Sequence, residues 1–287
     1  MYKVRVSATS ANLGCGFDVL GLALGLFNEY TFQRADEFIL KGFAPKYLEL
    51  NKNLVYSSYV EAFRFAGVEP VKAEICEVKR DIPRAGGLGS SASCAVAGII
   101  GANRIMGNKL SKSEILQLAT RIDGHPDNVS AAIYGGLTAT MKTSSGYVAE
   151  KYGISEKLRF LICYPDFYVS TEMARGVLPE NYSRSQTVEN LSRIVNLPRA
   201  FADGNVKMIG ECVKDNIHEP YRIKLIDEGE LIRDCAERSG AVAVISGSGA
   251  TMLVIGDENS RFENFGKLKT ERKWTFTKVK PYVEVKE

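Results

Sequence analysis

The hydrophobic positions change period several times along the chain. Residues 3–7 alternate, with Val4 and Val6 on one face, and residues 29–33 alternate again through Tyr30 and Phe32. Both spacings predict strands. Leu54, Val55, Tyr59, Ala62 and Phe63 fall at helical spacing and predict a helix over 53–66. A strand is expected over 71–78. Residues 90–106 are rich in Ala and Ile and predict a helix buried on most sides. Over 111–122 an amphipathic helix opens on Ser111 with Glu114 three residues on, a capping box. Strands follow at 137–141 and 158–164. The second half mixes helices (187–201, 206–214, 228–239) with strands (241–245, 252–255, 274–285). Without a strict βαβ rhythm, this mixture predicts an α+β fold. The polar, glycine-containing stretch 143–157 is the expected boundary between two domains, 1–150 and 151–287.

Composition narrows the class. The 287 residues suffice for two modest cores, and 45% hydrophobic with 25% charged residues suits a globular enzyme. The formal charge of +3 and the lack of a basic run with interleaved aromatics argue against a nucleic-acid partner. Six scattered cysteines without a C-x-x-C pair predict reduced thiols in a reducing cytosol. No stretch has the length of a membrane span or of a signal-peptide core, so the expected location is cytoplasmic, with no membrane partner.

Four segments carry candidate chemistry. Residues 83–93 read PRAGGLGSSAS, a glycine turn running into a serine-opened helix. Such a turn lets backbone N–H groups and the helix dipole hold an anion without lysine. A plain glycine turn before a capped helix has the same spelling. TSANLGCGFD (9–18) follows a strand and offers Asn12 and Asp18. GHPDN (124–128) sets His125, Asp127 and Asn128 together between two helices, although Asp127 at that point is also an ordinary helix cap. SGSGAT (246–251) is a second glycine loop between strands.

In this order the segments resemble the GHMP kinase superfamily, whose members carry an N-terminal substrate loop, a P-x-x-x-G-L-G-S-S-A loop and a C-terminal glycine loop. Within it, TSANLGCGFDVLGLAL and GHPDN are most similar to the homoserine kinase family. The resemblance implies a two-domain GHMP kinase fold. Its N-terminal half would be a ribosomal S5 domain 2-like ATP-binding domain, and its C-terminal half a ferredoxin-like α/β sandwich. The implied substrates are ATP and L-homoserine, with Mg²⁺, and the implied assembly is a homodimer. Pro83, Arg84, Ala85, Gly86, Gly87, Leu88, Gly89, Ser90, Ser91, Ala92 and Ser93 would wrap the ATP phosphates. Ser246, Gly247, Ser248 and Gly249 would close over the phosphates or brace the first loop. Ser91 and Asp123 would lie by magnesium.

On the same resemblance, Asn12, Asp18 and His125 would line the homoserine pocket, with Asp127 and Asn128 orienting the hydroxyl. Arg175 in STEMARGVLP and Arg222 in HEPYR would hold the substrate carboxylate bidentately. Asp18 would take the ammonium. Outside this context, either arginine reads as a surface ion pair. The chain departs from the family's pattern at two places. Ala250 stands where a proline is common. Arg121 stands where an acidic residue is common, which leaves Asp123, with Glu114 upstream, as the metal-binding alternatives. A GHMP kinase of mevalonate or shikimate type, and a non-catalytic metabolite-binding relative, are the other readings.

Overall fold

The computed structural model describes residues 1–83 and 86–283. Strand β1 (Tyr2–Asn12) turns back into β2 (Gly16–Arg34), and the two pair antiparallel from Tyr2 opposite Phe32 to Asn12 opposite Gly16. Both are much longer than their alternation suggested. Leu20, Leu22, Ala23 and Leu24 are all buried, so this half of β2 shows no polar face. Next come β3 (Ile39–Lys41), α1 (Leu54–Phe65), β4 (Ala73–Arg80), α2 (Ser90–Ile105), α3 (Lys112–Asp123), α4 (Pro126–Tyr134), β5 (Leu137–Thr143) and β6 (Gly146–Tyr152). The sheet runs β3-β4-β2-β5-β6, with β1 also on β2. Asn53 caps α1 through Tyr56 N (3.0 Å), and Ser111 with Glu114 forms the expected capping box on α3.

The four helices cover one face of this sheet. Val4, Val6, Tyr30, Phe32 and Ile75 meet Tyr59, Phe63, Val96, Ile99, Leu118 and Val129 in one core. Phe32 and Tyr59 stack with centroids 5.8 Å apart. The stretch 143–157 proves to hold β6, the hairpin partner of β5, so the crossing to the second sheet comes after Tyr152.

The second half holds β7 (Arg159–Pro165), α5 (Thr171–Gly176), α6 (Arg184–Asp203), α7 (Val206–Cys212), α8 (Glu219–Arg222), α9 (Gly229–Arg238), β8 (Val242–Ile245), β9 (Met252–Gly256) and β10 (Trp274–Val279). Its antiparallel sheet is ordered β10-β7-β9-β8, the 4-1-3-2 order of a ferredoxin-like sheet. Strand alternation gives it two apolar faces. Leu161, Cys163, Met252 and Val254 pack on Ile232 and Ala236 of α9. Phe160, Ile162, Leu253 and Ile255 meet Leu197 and Phe201 of α6 in a core shared with Leu20, Leu22, Leu24 and Leu137 of the first sheet.

The expected strand 274–285 is shorter in the structure, because β10 ends at Val279 and the chain crosses to β2. There Gly25 N donates to Lys280 O (2.8 Å), and Tyr282 N donates to Ala23 O (2.9 Å). The two sheets are thus joined by a shared core and by this terminal strap. All six cysteines are free thiols, and among the described residues no helix is long and apolar enough to cross a membrane.

Candidate active site

The open ends of β1, α2 and α4 face α5 and α8 across a cavity of about 580 Å³. One wall is the start of α2. Gly89, in the left-handed region at φ 65°, caps the helix, and Ser90, Ser91 and Ala92 line the cavity in its first turn. The N–H groups of that turn have no intrahelical acceptor, so together with the helix dipole they form an anion site.

The glycines answer to the protein as much as to a ligand. A Cβ on Gly87 (φ 80°) would overlap Ser246 O, and a Cβ on Gly89 would overlap Thr9 Oγ1. Leu88 is buried behind the turn and accepts from Thr9 N (3.2 Å). Ser93 is also buried, its hydroxyl turned back to Ser90 O (3.0 Å), and so stands away from the cavity. Pro83 precedes the turn without lining the cavity. Arg84 and Ala85 lie outside the described residues.

The loop at 246–251 stands behind the first. Ser246 Oγ lies 2.7 Å from Gly87 O and 2.8 Å from Ser10 Oγ. Gly247 N donates to Ala11 O (3.1 Å), and Thr251 N donates to Gly86 O (3.3 Å). Gly249 N closes the loop on Ser246 O (2.9 Å), while Gly247 and Ser248 reach the cavity wall. Ala250 is fully buried in the place of the expected proline. This is the bracing arrangement of the two alternatives.

The opposite end of the cavity is charged. Arg175 Nη2 donates to Asp18 Oδ1 (2.6 Å), and Arg175 Nε is buried with no partner among the described residues. Arg222 is 2% exposed. Its Nε donates to Ala174 O (2.9 Å) and its Nη1 to Gly247 O (3.1 Å), leaving only Nη2 free of protein partners among the described residues. The expected bidentate grip by Arg222 is therefore not available, because two of its three nitrogens position the protein itself. Burial and the nearby Arg175 lower its pKa. Both guanidinium groups lie over the Phe17 ring, at 5.3 and 4.9 Å. Asn12 lines the wall, but its amide ties the loops: Nδ2 donates to Gly247 O (2.7 Å) and Oδ1 accepts from Asp18 N (3.0 Å).

Between the two ends lies GHPDN. His125, not Asp127, is the cap residue of α4, and it makes no side-chain capping bond. Asp127 sits in the first turn, buried, with Oδ1 accepting from Asn128 N (2.6 Å). Burial pushes its carboxyl up to about 7, with Asp18 and Asp123 adding repulsion. Asn128 Oδ1 accepts from Thr9 Oγ1 (2.7 Å), which fixes its amide orientation.

Burial also raises the Asp123 pKa, and a hydrogen bond from Ser91 opposes the shift. A serine hydroxyl and a carboxylate are hard oxygen donors of the kind Mg²⁺ takes when a nucleotide supplies further oxygens. Among the described residues, no three His, Cys, Asp or Glu side chains gather as a metal cage. Arg121 points away and pairs with Glu61 (2.8 Å), and Glu114 caps its own helix, which excludes Glu114 as the upstream alternative.

Sequence reading missed the far wall. Phe43, Tyr47, Asn53, Leu54, Val55 and Arg80 line a region beside the start of α2, suited to a planar ring, and Ser170 and Thr171 line the charged end. Phe43 lies in an irregular connection and Tyr47 in a one-turn 3-10 helix (Pro45–Tyr47), both too short for a periodicity to signal them. Arg80, which hydrogen-bonds to Glu77, reads as an ordinary strand end.

Two outcomes follow from this geometry. Gly89→Ala should lower ATP affinity at least tenfold by calorimetry, because the Cβ drives the turn off Thr9. Gly107→Ala, with φ 79° but open space around it, should leave ATP affinity unchanged. Equal ATP affinity in both variants would contradict the packing argument. The second outcome concerns Asp127. Its carboxyl is raised from 3.8 to about 7, so between these values the folded state keeps a proton that the unfolded chain has released. Its contribution to stability is full below about 4 and fades as pH rises to about 7. Asp127→Asn should lose less stability than the wild type between pH 5 and 8 in urea titrations, by about 2–3 kcal/mol. Glu219, also pushed up to about 7, acts alike in both proteins. Identical pH dependence would contradict the burial of this carboxyl.

The chain is similar to known kinases along nearly its whole length. Residues 53–136 match the model for the GHMP kinases N terminal domain, and residues 197–267 match that for the GHMP kinases C terminal domain. Homoserine kinase of Clostridium beijerinckii is 38% identical over 266 residues, 92% of this chain and 89% of the relative. Homoserine kinase of Clostridium botulinum (strain Kyoto) is 38% identical over 265 residues, 91% and 89% of the two chains. The crystal structure of homoserine kinase from Cytophaga hutchinsonii superposes with a TM-score of 0.85 at 26% identity, covering 97% of this chain and 94% of that one. With these matches along nearly its whole length, the chain belongs to the GHMP kinases, in the homoserine kinase family.

Proposed function

We propose that the chain transfers the γ-phosphoryl group of ATP to the side-chain hydroxyl of L-homoserine, giving O-phospho-L-homoserine and ADP. One observation carries the reading: the cavity that holds the phosphate-loop helix end also presents Asp18 beside Arg175 and Arg222. An α-amino acid has a charge for each. Its ammonium fits Asp18, and its carboxylate fits Arg175 together with Arg222 Nη2. Mevalonate and shikimate have no ammonium for Asp18. The whole-length likeness to relatives named homoserine kinase supports the same reading.

In this account the protein acts by positioning and by charge, as phosphoryl transfer requires. The first-turn N–H groups of α2 and the loop at residues 86–89 hold the phosphates, braced by Ser246. Asn128, fixed by Thr9, and Asp127 orient the acceptor hydroxyl between the two ends. Holding it in line with the phosphate supplies several kcal/mol, about 7–11 at best. Asp127, with its raised pKa, receives the hydroxyl proton as the bond to phosphorus forms. Mg²⁺, when bound, would be held by Ser91 Oγ and Asp123 and would neutralise phosphate charge. The pocket of Phe43, Tyr47 and Val55 takes the base, and Arg80 adds a positive charge to that wall.

Arg175 gives the cleanest test. Its side chain is 35% exposed, so removal costs less than for a desolvated pair, about 1.5–3 kcal/mol. Arg175→Ala should lower kcat/KM for L-homoserine roughly 10- to 100-fold at about 1.4 kcal/mol per decade, with KM for ATP within twofold. Arg222→Ala should affect both substrates, because it also releases Gly247. ADP release measures all three constants. Wild-type efficiency with homoserine in Arg175→Ala would defeat the amino-acid reading.

A further inference from the structure

His218 lies outside the cavity wall, yet it touches two parts that shape the charged end. Its ring is fully buried. Nε2 is 2.9 Å from Gly14 O, in the turn between β1 and β2, and Nδ1 is 3.4 Å from Arg222 Nη1. The ring stacks on Phe17, with centroids 5.2 Å apart and planes at 26°, and Phe17 in turn lies under both guanidinium groups. We propose that His218 is a positioning residue for substrate-carboxylate recognition: as the neutral Nε2–H tautomer it turns Arg222 so that Nη2 alone faces the substrate. This role rests on the homoserine reading above.

The hydrogen-bond inventory sets the tautomer. Gly14 O can only accept, so Nε2 carries the proton. Nδ1 is then an acceptor, the only kind of group an arginine N–H can use. Nη1 has two hydrogens, one directed to Gly247 O and one to Nδ1, and Nε is held by Ala174 O. The guanidinium is thereby fixed at three points from three elements, and its last nitrogen is left for the cavity.

A protonated ring would set Nδ1–H against Nη1–H and add a cation beside Arg222. Asp215 and Asp18 favour that state, but burial and Arg222 outweigh them. Asp215, 3.7 Å from Nε2, already accepts from the backbone N–H of Ile217, His218 and Glu219. The other charged groups acting on the ring are Arg222 and Asp18, of opposite sign. Burial lowers the ring's pKa to about 4, in keeping with a neutral side chain.

The test compares L-homoserine with 3-aminopropan-1-ol, which has the hydroxyl and the ammonium but no carboxylate. His218→Ala should raise KM for homoserine about tenfold, with kcat within threefold and KM for ATP unchanged. KM for 3-aminopropan-1-ol should be the same in variant and wild type. His218→Asn, whose Oδ1 replaces Nδ1 as acceptor, should restore most of the homoserine KM. If the alanine variant does not fold, His218→Gln keeps bulk and a donor toward Gly14 but no acceptor at the Nδ1 position. It should show the same selective rise. A wild-type KM for homoserine in the alanine or glutamine variant would overturn the role, as would equal losses on both alcohols, the mark of a structural residue. Absence of homoserine turnover by the wild type would overturn the functional reading and this role with it. Normal turnover with unselective losses overturns the role alone.

Discussion

Three loops far apart in sequence share one set of backbone hydrogen bonds, and the site exists because they do. Thr9 N donates to Leu88 O, Gly247 N to Ala11 O and Thr251 N to Gly86 O, with Ser246 Oγ set between Gly87 O and Ser10. Buried backbone groups need partners, and here each loop supplies those of the others. The contacts require bare backbone at Gly87 and Gly89. A phosphate loop without lysine is workable in this setting, since a rigid frame can aim N–H dipoles at an anion without rearranging them.

The clamp also joins the two halves of the chain. Ser246 and Gly247 follow β8 of the second sheet, and residues 9–12 end β1 of the first. Asn12 and Arg222 both hold Gly247 O, so the glycine-loop end and the charged end share an atom. Asp18, Asp123, Asp127, Arg175 and Arg222 line one cavity. Burial raises the pKa of Asp123 and Asp127 and lowers that of Arg222. Each shift marks a charge that the folded protein does not fully compensate. In the proposed reaction a nucleotide, a cation and a zwitterion would bring the missing opposite charges, and shifted groups of this kind gather at working sites.

Much of this was legible in the residues. The helices α1, α2 and α3 follow from spacing and composition and, for α3, from the capping box at Ser111, because local hydrogen bonds set its start; the Asn53 cap of α1 is seen only in the structure. The first half of β2 was not legible, since a strand buried on both faces loses its alternation. The glycine turns announced an anion site, but the neighbours that require those glycines come from distant segments and leave no local pattern. Arg222 was found from HEPYR. That two of its nitrogens hold Ala174 and Gly247 depends on tertiary packing alone. Phe43 and Tyr47 gave no signal, as a bend and a single 3-10 turn are too short to show a period. Asp123 was marked by the family resemblance at its place before GHPDN; it lies within hydrogen-bond reach of Ser91, and the bound metal stays a proposal.

The central claim is that one cavity joins a phosphate site to a site for both charges of an amino acid. The direct measurement is ATP-dependent ADP release with three alcohols: L-homoserine, 3-aminopropan-1-ol without the carboxylate, and 4-hydroxybutanoate without the ammonium. Each lost charge removes a charge-assisted contact of about 1.5–3 kcal/mol. The account predicts kcat/KM for homoserine at least tenfold above either analogue, with KM for ATP alike throughout. Equal efficiency with 4-hydroxybutanoate and homoserine would contradict it, because Asp18 would then have no ammonium to recognise.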